Sequence, residues 1–83
     1  MDIMQVVDSL VCTRRVPGLQ QVSLRILRDA KGKRVVATDP VGVRPGNWVF
    51  ATAGSAARYA MGNTKILTDL TICGIIDDWA ADA

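Results

Sequence analysis

The sequence predicts a mainly β fold: a small, closed or nearly closed five-stranded β-barrel of OB-like type with one short α-helix. Five short runs alternate in polarity or are rich in β-branched residues, and turn residues bound them. One alanine-rich stretch, Ser55-Ala56-Ala57-Arg58, follows a glycine corner. The length of 83 residues suits one domain, 1–83, with no second layer.

Residues 2–13 alternate, with Ile3, Gln5, Val7, Ser9, Val11 and Thr13 on one side and Met4, Val6, Asp8, Leu10 and Cys12 on the other, which predicts the first strand. Arg14-Arg15-Val16-Pro17-Gly18 breaks the pattern into a basic loop. Val22, Leu24 and Ile26 alternate with Ser23 and Arg25 in a second strand ending near Asp29, and Ala30-Lys31-Gly32-Lys33 supplies a hairpin turn. A third strand runs from Arg34 to about Thr38, limited by Pro40, which cannot donate to a ladder.

Arg44-Pro45-Gly46-Asn47 reads as a type II turn, because Pro45 presets φ at its second position and Gly46 supplies φ > 0 at its third. It launches a fourth strand, Trp48 to Ala53, which Gly54 stops. Ser55 then sits where an N-cap belongs, for a helix that runs to about Met61 and ends at Gly62-Asn63. Leu70 to Asp77 forms the fifth strand, followed by a tail containing Trp79.

Two of these strands are apolar on both sides under strict alternation. The fifth carries Leu70, Ile72 and Ile76 opposite Cys73 and Ile75; the fourth carries Trp48 and Phe50 opposite Val49 and Ala51. Strands of that kind are covered on both faces. With 49% hydrophobic residues in so short a chain, the outer cover is most simply another subunit.

Charge is uneven. Eight basic residues between Arg14 and Arg44 face only Asp29 and Asp39, whereas Asp69, Asp77, Asp78 and Asp82 close the sequence without a base. The net charge of +2 is too small to argue by itself for nucleic acid or an anionic membrane. No signal peptide is expected and no apolar run is long enough to span a bilayer, which points to a cytoplasmic protein.

Chemistry is hard to place on this chain. It has neither histidine nor glutamate, which removes the usual general base, the common nucleophile pairs and the commonest metal ligand. Asp39 before Pro40 reads as a turn residue, and Ser55 as a helix cap with no base at hand. Cys12 and Cys73 lack metal-ligand spacing and read as inert thiols in apolar surroundings. Catalytic, cofactor-binding and metal-binding residues are therefore all expected to be absent. A basic small barrel with Trp48, Phe50 and Tyr59 is also compatible with an OB-type nucleic-acid binder, although core packing explains Trp48 and Phe50 better.

Taken together, Met4-Gln5-Val6, Pro45-Gly46-Asn47-Trp48-Val49, Gly54-Ser55-Ala56-Ala57-Arg58, Asp69-Leu70-Thr71-Ile72 and Gly74-Ile75-Ile76-Asp77 resemble, in order, the pentameric bacterial microcompartment vertex proteins of the EutN/CcmL family. Cys12-Thr13-Arg14-Arg15-Val16-Pro17-Gly18-Leu19 and the Trp79 ending look like the α-carboxysome branch and its second vertex paralogue. Val43-Arg44-Pro45 and Tyr59 depart from the family's usual turn and helix.

The resemblance implies a single vertex domain over 1–83 that assembles as a cyclic homopentamer. Such pentamers cap the five-fold vertices of a carboxysome shell around carbon-fixing enzymes, beside hexameric shell proteins, with no enzyme activity and no cofactor. It places Gly54 and Ser55 near the five-fold axis, where a narrow pore with inward helix N-termini would attract small anions such as bicarbonate. It makes Arg58, Tyr59, Asp69, Ile75 and Asp77 the candidate subunit-interface residues, with Arg58 pairing Asp69 or Asp77 across the boundary. Arg14, Arg15 and Arg44 are candidates for contact with the hexameric neighbours.

Overall fold

The structure is a computed structural model that describes residues 1–77. Asp78, Trp79 and Asp82, with the tail expected around them, lie outside the described residues. The elements are β1 (Asp2–Ser9), a 3-10 turn (Pro17–Leu19), β2 (Leu24–Arg28), β3 (Arg34–Thr38), β4 (Trp48–Ala53), α1 (Ser55–Ala60) and β5 (Leu70–Ile75). The strands close into a barrel in the order β1-β2-β3-β5-β4. Neighbours are antiparallel except β3 and β5, which run parallel and share the single register pair Thr38 and Thr71.

The core follows from the inward half of each alternation. Met4, Val6, Leu27, Ala37, Val43, Val49, Ala51 and Ile72 form one buried cluster, with Val35 and Leu70 packed against it. The turn before β4 forms as the sequence predicts: Gly46 has φ of 93° and the Asn47 N–H donates to the Arg44 carbonyl at 3.1 Å. The Asn47 Oδ1 also accepts the Arg44 N–H at 2.9 Å, so the turn is tied from both sides.

Two bulges correct the strict alternation. In β1 the register slips between Val6 and Asp8, and the strand ends at Ser9 rather than near Thr13. Leu10 still donates its N–H to the Leu24 carbonyl at 3.0 Å, but Val11 is 88% exposed and has left the sheet. A bulge adds one unpaired residue and bends its strand, which here carries the chain into the basic loop.

The second bulge lies where β5 meets β4. Phe50 pairs with Gly74 and Ala51 with Ile72, so Cys73 is the extra residue. The shift puts Leu70, Ile72 and Ile75 on the face shared with Ala53, Ala51 and Val49, and leaves Thr71 and Gly74 opposite Thr52 and Phe50. The expectation of a fifth strand apolar on both faces is thereby corrected. It also ends at Ile75, two residues earlier than expected.

The fourth strand keeps its two apolar faces, but Trp48 and Phe50 are half-buried and lie outside the core cluster. Core packing is therefore not what holds these rings. They share the outer face with Gln5 and Ile3 of β1, their register partners. The Phe50 ring packs over Gly74: a Cβ at this position would lie 2.5 Å from the Phe50 Cε1, so a larger residue would displace the ring.

Candidate functional site

The glycine corner after β4 gathers most of the predicted site residues. Gly54 has φ of 70° and ψ of −147°, a conformation open in practice to glycine, and its N–H donates to the Asp69 carbonyl at 2.9 Å. Its own carbonyl accepts the Ala57 N–H at 3.1 Å and starts α1. Gly54 is thus the N-cap, and Ser55 the first helical residue with no capping hydrogen bond from its side chain, contrary to the expected cap. The helix begins one residue early because the glycine completes the corner by itself.

A chain of hydroxyls fixes this helix to the barrel. The Thr71 Oγ1 donates to the Ala57 carbonyl at 2.8 Å, and Thr38 and Thr68 Oγ1 lie 2.7 Å and 3.1 Å from Thr71 and Thr38 respectively. A hydroxyl has one proton, so Thr71 accepts from Thr38. The cluster bridges β3, β5 and α1 at the point where the β3–β5 ladder is shortest.

On the surface of the corner, Gly54, Ser55, Arg58, Tyr59 and Asp69 are all exposed, Tyr59 at 73%. Arg58 and Asp69 line one recess of about 280 Å³ with Leu67 and Thr68, and no ion pair joins them within the chain. Ile75 and Asp77 are exposed too, but at the other end of β5, about 20 Å away at the usual rise of a strand. One chain therefore brings Arg58 near Asp69 and keeps Asp77 apart from both.

The basic stretch is less free than its count suggests. Arg25 Nε lies 3.1 Å from the Asp39 Oδ2, and that carboxylate also accepts the N–H groups of Val41, Gly42 and Val43 at 2.8 to 2.9 Å. Asp39 is a turn residue, as its place before Pro40 predicts, and its partner Arg25 is what sequence reasoning missed. Arg15 Nη1 donates to the Gln20 and Val22 carbonyls, so it braces the basic loop rather than offering its charge outward. Arg14, Lys31, Lys33, Arg34 and Arg44 are exposed.

This arrangement offers surfaces and little chemistry. Among the described residues no three His, Cys, Asp or Glu side chains gather where a metal ion would be held, and Cys12 and Cys73 are free, half-buried thiols. No described helix is long and apolar enough to cross a membrane. Outward-facing Ile3, Trp48 and Phe50, together with the corner around α1, are the features left to explain.

The family model described as ethanolamine utilisation protein EutN/carboxysome matches residues 1–77. The chain is 57% identical over 79 residues to the carboxysome shell vertex protein CsoS4B of Halothiobacillus neapolitanus, covering 95% of this chain and 98% of that protein. Identity to the CsoS4A protein of the same organism is 44% over 80 residues, covering 95% and 96%. The solved structure of the Halothiobacillus CsoS4B superposes with a TM-score of 0.88 at 56% identity, over 94% of this chain and 100% of that one. A pentameric shell protein from the RMM microcompartment superposes with a TM-score of 0.83 at 28% identity, over 93% and 91%.

Proposed function

The chain belongs to the EutN/CcmL family and functions as a structural vertex protein of a carboxysome shell, and we propose that it does so as a ring of five identical copies, each a single domain over 1–83. The greater likeness to CsoS4B than to CsoS4A assigns it to the second of the two vertex paralogues. A sheet tiled by hexagons alone stays flat, and five-fold units close it into a shell around the enzymes within. The role is structural rather than enzymatic, and the partners beyond the ring are hexameric shell proteins, not nucleic acid or membrane.

One observation carries the ring: a closed barrel with Ile3 and Phe50 paired on its outer face has no second layer among the described residues over that flank. A heterologous interface repeated five times covers such a flank and closes on itself. Arg58, Tyr59 and Asp69 lie at that boundary in this reading, with Ile75 and Asp77 on the opposite edge meeting the next copy. Gly54 and Ser55 approach the five-fold axis.

Sedimentation equilibrium tests the ring: a mass of five times 8.9 kDa is expected, and a stable single-copy species overturns the reading. In a background with Cys12 and Cys73 replaced by serine, Ser55→Cys tests the axis. Oxidation should then link neighbouring copies, whereas unlinked chains in an intact ring would place Ser55 away from the axis. The nucleic-acid reading finds no support in the relatives.

A further inference from the structure

Strand β3 leaves part of one edge uncovered. Antiparallel partners alternate between pairs that exchange hydrogen bonds and pairs whose N–H and C=O groups point away. The Asp29 N–H donates to the Lys33 carbonyl at 3.0 Å and the Asp39 N–H to the Ser23 carbonyl at 2.9 Å, so Val35 and Ala37 turn their backbone groups to β2. Arg34, Val36 and Thr38 turn theirs away. Thr38 meets β5 there, in the single register pair those two strands share. Arg34 and Val36 have no register partner on that side, and among the described residues no loop makes a backbone hydrogen bond to either. Both are exposed, Val36 at 48%.

The side chains around this edge are basic. Arg28 and Arg34 are register partners, like charges set directly opposite, an arrangement that costs stability. Lys31 and Lys33 lie in the turn between them, where Asp29 spends its Oδ1 on the N–H groups of those two lysines at 2.9 Å each. Arg28 donates to the Gln5 Oε1 at 2.6 Å, and none of the four bases is in an ion pair among the described residues. An open edge invites pairing, but two copies joined through this one would set base against base. In the closed order β1-β2-β3-β5-β4, β3 lies across the barrel from the seam of β1 and β4 that bears Ile3 and Phe50. The edge is therefore separate from that flank.

We propose that the edge of β3 at Arg34 and Val36 is a docking site for an extended acidic segment of another protein, which joins the barrel as an added strand. Ladder hydrogen bonds to Arg34 and Val36 supply the affinity, and side chains set the choice of partner. On the outer face a carboxylate of the segment sits beside Arg34 and Arg28, and two residues along an apolar side chain covers Val36. A nucleic acid would match the charge, but it has no alternating N–H and C=O groups to continue a ladder. The site belongs to one chain and does not rest on the five-copy ring.

Amide hydrogen exchange on the full-length protein tests it, with a blocked peptide of two glutamate-threonine-valine-threonine repeats as the probe. In the protein alone the Arg34 and Val36 amides should exchange at least about tenfold faster than those of Val35 and Ala37. Saturating peptide should slow Arg34 and Val36 at least about tenfold, whereas a fully N-methylated peptide of the same charge should not, because it cannot join a ladder. Arg34→Glu sits at an exposed site and relieves the repulsion from Arg28, so it should keep the fold while weakening the peptide about fivefold, the size of one cross-strand charge pair. Unchanged exchange at Arg34 and Val36 with the peptide, equal slowing by its methylated form, or full affinity in Arg34→Glu overturns the proposal. So do amides already slow in the protein alone, which would put a neighbouring copy on the edge, and an oligothymidylate that outcompetes the peptide, which would make this a nucleic-acid face.

Discussion

Two arginine–aspartate arrangements in this small barrel are built from the same chemistry and do different things. Arg25 and Asp39 are joined at 3.1 Å, the carboxylate wholly buried and the arginine side chain 18% exposed. Every oxygen of Asp39 has a local partner as well, because the turn after β3 turns three backbone N–H groups toward it. Arg58 and Asp69 share a recess but remain exposed, with no ion pair to either among the described residues. The first pair closes a loop on itself; the second holds opposite charges ready, and they gain strength only when something excludes water from between them.

The most disruptive way to test this contrast is Asp39→Ala. It removes the acceptor of three N–H groups and strands the Arg25 charge, and should cost about 3 to 5 kcal/mol in urea unfolding. A loss under 1 kcal/mol would mean the turn is held by other means. Gly54→Ala comes next: the corner forbids a Cβ on backbone grounds although open space surrounds it, so about 1 to 3 kcal/mol of strain should appear as a lower Tm. Thr71→Val removes the hydroxyl that ties α1 to the barrel and should cost about 1 to 2 kcal/mol, with amide exchange rising first in α1.

The smallest effect on the fold should come from Arg58→Ala, under about 1 kcal/mol for an exposed side chain. Its effect should appear in assembly. If Arg58 meets an acid of the neighbouring copy, Arg58→Ala weakens the ring in sedimentation velocity more than Lys31→Ala does. Equal behaviour of the two variants would erase the distinction between the closed pair and the open one.

Local features were legible. The Arg44–Asn47 turn, the hairpin at Lys31, the third and fourth strands and the glycine corner all follow from short-range rules, and so does the turn role of Asp39. Features that depend on partners were not. Arg25 counts as one more base until the fold brings it to Asp39, fourteen residues on. Ser55 looks like a cap until the φ of Gly54 moves the start of the helix back by one.

A five-stranded barrel with one helix is encoded in the order of the amino acids, because period-two patterning and turn chemistry act over a few residues. The same order carries the family likeness that identifies a carboxysome vertex protein. Which apolar side chains face outward depends instead on how the strands pair. A bulge at Cys73 reverses the parity of β5 beyond it, and a bulge after Val6 does the same in β1; each is set by how two distant strands align, a relation that no single stretch of sequence contains.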